Sequence, residues 1–362
     1  MHRKRVSLLV LFLFCSASVA VRADKVDAYI KAEMQNQHIP GLSLAVLKNG
    51  KILKADGYGL ANVELNVAAK PETVYKIGSV SKQFIATGIM LLVEEGRVSL
   101  DDKISKFLEG TPETWKNITV RHLLTHTSGI VREAPGFDPY KVQSDIDVIK
   151  TAYPLPLHFA AGEKWEYCNV GYFTLAEIIR KVTGKPWGDY LNERVFKPLE
   201  MYATRTTTLT EIVPNRAGAY VWRDDKLQNA ENYFALRPSG AFLSNVLDLA
   251  KWDAALYTDK ILKQSSRDEM WKPFIRTNTG SGRETAIFYG FGWEITSPAP
   301  GHRKISHGGS LPGFRAALAR FVDDSLTVVI LTNGDNAKPG QLVDGVAAIY
   351  VPPLTPMVPQ RN

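Results

Sequence analysis

Apolar and polar positions change rhythm three times along this chain. Two extended runs, 42–47 and 51–58, flank Asn49-Gly50, a pair that tolerates positive φ and marks a two-residue hairpin. From Val80 to Glu95 the residues Phe84, Ile85, Ile89, Leu92 and Val93 recur at helical spacing, and Gly96 closes the predicted helix. The same periodicity predicts helices over 173–182, 187–195 and 246–256. After that the pattern turns extended, with strands expected over 290–296, 315–322 and 325–331 and a last helix over 341–350. Strands at both ends with helices between them predict an α+β fold, an α/β sandwich. Its antiparallel sheet is built from both chain ends and flanked by helices, and its mainly helical middle subdomain covers about 80–235. No repeat or Ser/Gly-rich linker divides residues 24–350, so one domain is expected there. The tail at 351–362 has four prolines and reads as extended.

The N-terminus breaks these rhythms. Arg3, Lys4 and Arg5 precede an apolar stretch to Val21, and Ala20 and Ala23 both fit small-residue cleavage sites. About sixteen apolar residues are short for a membrane span of about twenty, so residues 1–23 read as a signal peptide and the protein as exported, periplasmic or secreted. Phe14 before Cys15 argues against lipid attachment, and once the peptide is removed Cys168 is the one remaining cysteine.

Composition then changes meaning. The 362 residues are 45% hydrophobic and 22% charged, as in a folded globular protein, with a net charge of +7. Removing Arg3, Lys4, Arg5 and Arg22 takes the 44 basic residues to 40 against 37 acidic ones, a net +3. So even a balance leaves no nucleic-acid footprint, and no later segment predicts stable membrane insertion.

Chemistry is concentrated at three places. Ser79 and Lys82 open the helix three residues apart, hence on one face, where an amine can take a proton from the serine hydroxyl. Tyr167-Cys168-Asn169 leads into another helix from a loop, and offers a phenol for proton relay and an amide for a substrate or for the lysine. A decoy, Tyr190-Leu191-Asn192, lies inside a helical stretch, where Tyr190 is expected to pack and Asn192 to face water. His307-Gly308-Gly309-Ser310 ends an extended run whose glycines invite close backbone approach, with the Ser310 N–H aimed at a carbonyl oxygen. His122 and His126 are spaced i, i+4 like a metal pair, but the glutamate of the zinc-protease helix motif is missing. A helix ending at Thr127-Ser128-Gly129, with His126 bonded inside the loop, is the better reading.

Each motif alone is weak, but the ordered set Ser79-x-x-Lys82, Tyr167-x-Asn169 and His307-x-Gly309 resembles the serine β-lactamase and penicillin-binding-protein superfamily. It is most similar to the class C β-lactamase-like branch of esterases, D-aminopeptidases and DD-peptidases. The resemblance runs over about 25–350 and includes His122-Leu123-Leu124-Thr125-His126-Thr127-Ser128-Gly129. It implies Ser79 as acylated nucleophile, Lys82 as its general base and Tyr167 as the phenol sharing proton transfer. Asn169 is implied as a substrate-positioning amide and His307 as the basic residue of the third motif. The Ser79 and Ser310 N–H groups would form the oxyanion hole. It implies no metal or organic cofactor, and a small ester, amide or peptide substrate.

Two departures from the family pattern carry expectations. His307-Gly308-Gly309 replaces the usual Lys-Thr-Gly, so a permanent cation and a hydroxyl for a substrate carboxylate are missing. Weak or absent β-lactam hydrolysis is expected, with esters or small amides preferred. A His307 that must be charged to bind would lose substrate above about pH 6.5. Cys168 stands where Ser or Ala is commoner, and an exposed thiol there would be open to oxidation. The alternatives are a DD-peptidase or D-aminopeptidase on cell-wall peptides, a weak class C-type β-lactamase, and a penicillin-recognising scaffold with little turnover.

Overall fold

The computed structural model describes residues 25–206, 210–231, 238–240, 242–277 and 286–354. The expected signal peptide, most of the proline-rich tail and residues 232–237 lie outside them.

A nine-stranded antiparallel sheet forms the centre. Its strands are β1 (Gly41–Lys48), β2 (Lys51–Asn62), β3 (Val67–Ala68), β4 (Ile275–Arg276), β5 (Phe288–Tyr289), β6 (Glu294–Ala299), β7 (His302–Leu311), β8 (Phe314–Phe321) and β9 (Leu326–Thr332). The spatial order is β3-β2-β1-β9-β8-β7-β6-β5-β4, so the first and last long strands pair at the centre. The sheet is thus built from both chain ends, as expected. The β1–β2 hairpin turns through Asn49 and Gly50 at φ +52° and +69°, the double positive φ that this dipeptide supplies.

Helices cover both faces. On one lie α1 (25–36) and α5 (Pro339–Tyr350), where Val26, Ile30 and Met34 meet Leu44, Val46, Val328, Ile330 and Val346. On the other, α2 (Lys82–Glu94), α3 (Asn169–Thr183) and α4 (Val246–Ala255) enclose the larger core with Ala45, Leu47, Val329 and Leu331. Alternate residues of β1 and β9 therefore enter different cores, and their sequences are apolar throughout because both faces are covered.

Several boundaries move. The expected strand over 290–296 is two strands, β5 and β6, separated by Gly290-Phe291-Gly292-Trp293. The 187–195 helix is α-helical over Trp187–Leu191 and continues as a π turn over Asn192–Phe196. Helix α1 has no counterpart in the sequence expectations: its stripe places one apolar residue per turn, and only the sheet beneath makes that sufficient. Within the helical middle a small ribbon also forms, Tyr220–Arg223 paired with Lys226–Asn229.

Candidate active site

The chain approaches Ser79 along a two-residue strand, Tyr75–Lys76, paired with Leu243–Ser244. Gly78, at φ +52°, turns it into a 3-10 turn over Gly78–Ser81 that runs straight into α2. This turn abuts β7. A Cβ on Gly309 would stand 1.9 Å from the Ile77 carbonyl oxygen, and one on Gly78 would stand 2.6 Å from the Ser310 nitrogen. The two glycines let the backbones touch. Gly308 differs, since the nearest atom to its Cβ position is 3.7 Å away.

Strand register orients the donors. The Pro312-Gly313 turn makes Leu311 and Phe314 a hydrogen-bonded pair, so Ser310 and Arg315 form the next, non-bonded pair. The Ser310 N–H therefore points away from β8. Strand β6 pairs with β7 only as far as Ser306, which leaves that edge open beside Ser79 among the described residues. With the Ser79 nitrogen 3.2 Å from the Gly309 Cβ position, the two backbone nitrogens of the expected oxyanion hole lie on one side of the cleft.

Lys82 is fully buried. Its Nζ lies 3.2 Å from Ser79 Oγ and donates to Asn169 Oδ1 and to the Ser239 carbonyl, both at 2.9 Å. Asn169 in turn donates through Nδ2 to the Glu133 carboxylate. Tyr167 lines the cleft beside Ser79, and Lys82 Nζ lies 4.6 Å from the centre of its ring. Burial raises the Tyr167 pKa above that of an ordinary phenol, and the neighbouring Ser79 hydroxyl offsets this only in part. Ser79, Tyr167, Asn169, His307, Gly309 and Ser310 all line one cleft of about 530 Å³, joined by Arg132, Glu133, Trp165 and Ser239. All seven residues singled out from sequence thus come together, with Lys82 beneath the floor.

The family model for Beta-lactamase matches residues 26–350. The chain belongs to the beta-lactamase family. Penicillin-binding protein 4* of Bacillus subtilis (strain 168) is 31% identical over 314 residues, which is 79% of this chain and 68% of that protein. The octameric penicillin-binding protein homologue from Pyrococcus abyssi superposes with a TM-score of 0.82 at 28% identity, over 91% of this chain and 77% of its own. The D-amino acid amidase of Ochrobactrum anthropi SV3, complexed with D-phenylalanine, shares the fold. Its TM-score is 0.76 at 24% identity, over 90% of this chain and 99% of the amidase. The beta-lactamase-family chain is accordingly a serine hydrolase.

The third motif bears on whether His307 acts as a charged group. His307 is buried, not a cation held out to substrate. Its Nδ1 donates to the Gly308 carbonyl at 2.6 Å, which leaves Nε2 to accept the Tyr289 hydroxyl at 2.9 Å. Burial first, then the Lys82 charge, pushes its pKa down to about 3, so the ring is neutral throughout the range in which it was expected to titrate. Cys168 is not an exposed thiol. Its thiol is buried, accepts the Gly171 N–H at 3.2 Å as the N-cap of α3, and donates to the Val131 carbonyl at 3.3 Å. Burial pushes its pKa up to about 12, opposite to the shift that makes a thiol reactive.

The decoy behaves as expected, with Tyr190 packed in the core and Asn192 at the surface. The His122 Nδ1 accepts the Thr119 N–H in a capping box. No cluster of three or more metal-ligating side chains occurs among the described residues. Sequence reasoning missed Glu133, Arg132, Trp165 and the Ser239 carbonyl. None of these carries a spacing signal, since a backbone oxygen has no side-chain identity to read.

Proposed function

We propose that this chain is an exported serine hydrolase that cleaves ester or small amide bonds through an acyl-enzyme on Ser79. One observation carries the reading: the fixed acceptors around Lys82. At rest the Lys82 ammonium sits among the oxygens of Asn169, Ser239 and Ser79. Once it has shed one proton, Asn169 Oδ1 and the Ser239 carbonyl still accept from its N–H bonds and its lone pair is within reach of Ser79 Oγ. Lys82 then takes the hydroxyl proton as Ser79 attacks the carbonyl carbon. Tyr167, kept protonated by burial, relays a proton to the leaving group and later orders the deacylating water. The Ser79 and Ser310 N–H groups receive the oxyanion. Asn169 acts by holding the lysine.

A neutral His307 is not a cation for a substrate carboxylate, and Arg315, which lines the same cleft, is already paired with Asp335; both support esters and amides over β-lactams. A second reading, a peptidase or amidase acting on D-amino acid substrates, draws on the open β7 edge, where an extended peptide can pair. The names of the Bacillus relative and the amidase point the same way. Export rests on residues 1–23 and on likeness to penicillin-binding proteins; no helix among the described residues is long and apolar enough to cross a membrane.

The test is covalent labelling by a fluorophosphonate, followed by turnover of short nitrophenyl esters, D-alanyl peptides and nitrocefin. Labelling of Ser79 is expected, with esters or D-amino amides outrunning nitrocefin and Ser79→Ala inactive on all of them. No adduct on Ser79 would sink the hydrolase reading. Rapid nitrocefin turnover that Ser79→Ala abolishes would overturn the substrate preference.

A further inference from the structure

We propose that His126 is a positioning residue that holds Tyr167 in place over Ser79, an inference resting on the role proposed for Tyr167. His126 follows the short helix Val120–Leu124 in the left-handed region, at φ +59°, and its side chain is completely buried. It bonds to the chain on both sides of Tyr167. Its carbonyl oxygen accepts the Glu166 N–H at 3.0 Å, and its Nδ1 accepts the Cys168 N–H at 3.1 Å. The imidazole also lies against the Tyr167 ring, with centroids 4.4 Å apart and planes tilted by 38°. Tyr289 and Tyr172 back the imidazole at 4.7 and 5.1 Å. One residue therefore fixes the backbone before Tyr167, the backbone after it and one face of its ring.

The chemistry explains why this residue is a histidine. The Cys168 N–H lies just before α3 and needs an acceptor reaching in from another segment. A neutral imidazole offers one acceptor nitrogen on a flat ring that can also stack. With Nδ1 accepting, the proton sits on Nε2, which has no hydrogen-bond partner among the described residues. A protonated ring would set N–H against N–H. Burial, with Lys82 nearby, holds the pKa of His126 well below its ordinary value and keeps the acceptor available. A residue valued only for its bulk would not need that acceptor, nor a left-handed backbone.

Two substitutions separate these contributions. His126→Gly keeps the backbone conformation but removes acceptor and ring, whereas His126→Asn tolerates positive φ and retains an acceptor. For ester turnover, His126→Gly is expected to lower kcat about 100-fold with KM within about threefold, as a misplaced proton-transfer group does. His126→Asn is expected to recover to within about tenfold of wild type. In a Tyr167→Phe background the His126→Gly change is expected to cost less than about threefold, because its effect passes through the missing hydroxyl.

Additive losses in this cycle would overturn the proposal. So would wild-type kcat in a folded His126→Gly protein, or equal losses in both variants that follow Tm. Should His126→Gly not fold, the same cycle is run with His126→Asn, whose smaller loss must likewise vanish beside Tyr167→Phe. Wild-type turnover by Tyr167→Phe would instead count against the proposed role of Tyr167. Positioning is then read from the rate of Tyr167 ring flipping, which His126→Gly must raise more than His126→Asn does; equal rates in the two variants would overturn the proposal.

Discussion

Lys82 and His307 reach the Ser79 cleft from opposite walls, and the structure provides for them differently. Lys82, on the helical wall, meets the hydroxyl of Ser79, the amide oxygen of Asn169 and the carbonyl of Ser239. His307, on the strand wall, has one carbonyl and one phenol as partners, no carboxylate bonded to it, and the Lys82 charge opposing its own. Both are buried, yet only the first is surrounded by groups that suit proton transfer. What a buried base can do is set by its acceptors rather than by its burial. In the proposed reaction the helical wall supplies the base, and β7 supplies a neutral imidazole and backbone donors.

The sharpest challenge to this contrast is removal of the base. Lys82→Ala is expected to lower kcat for ester hydrolysis by about 10²–10⁴-fold, the usual span for a lost general base. A folded Lys82→Ala protein with near-normal turnover would place the base elsewhere. Next in size is the strand wall's backbone, where adjacent glycines differ. Gly309→Ala must push the Ile77 carbonyl away and spread the Ser79 and Ser310 N–H groups, at about 10²–10³-fold in kcat. Gly308→Ala meets nothing closer than 3.7 Å and should leave Tm and kcat close to wild type. Equal effects at the two positions, measured by turnover and thermal melting, would refute the close approach.

The smallest effect is at His307. His307→Gln should keep activity within about tenfold, and wild-type KM should stay level from pH 5.5 to 8, because no charge is lost there. Stability responds instead. Between pH 6.5 and about 3 the unfolded chain binds a proton that folded His307 refuses, so stability is full above this window and falls as the pH is lowered through it. The difference is on the order of 2 kcal/mol at pH 5, and the buried His126 adds to the same slope. Urea midpoints measured between pH 7 and 4.5 should fall less steeply in His307→Gln; parallel slopes would show that the ring titrates normally.

Legibility in the sequence followed the range of the interactions. Helix α2 and the Asn49-Gly50 hairpin were readable because periodicity and a two-residue turn are local. Helix α1 was not, because Val26, Ile30 and Met34 gain their stability from the sheet. Strand β7 runs ten residues through Gly308 and Gly309, where a local reading sees an interruption, because neighbouring strands and the Ile77–Ser79 backbone support it. The buried state of Cys168 was likewise beyond reach: the same Tyr-x-Asn spacing accommodates an exposed or an enclosed thiol.

By itself, the sequence determined the sheet from both chain ends and pointed to the seven residues that meet at the cleft, including Ser79 and Lys82 one helical turn apart. That proximity is a property of helix geometry and needs no tertiary context. Tertiary structure alone decided what those residues can do. Asn169 lies 87 residues from Lys82 and the Ser239 carbonyl 157, and only folding brings these acceptors to the amine. The same folding strips water from His307 and makes it neutral. Spacing along a helix is written in the chain, but the solvation of a proton is settled by everything packed around it.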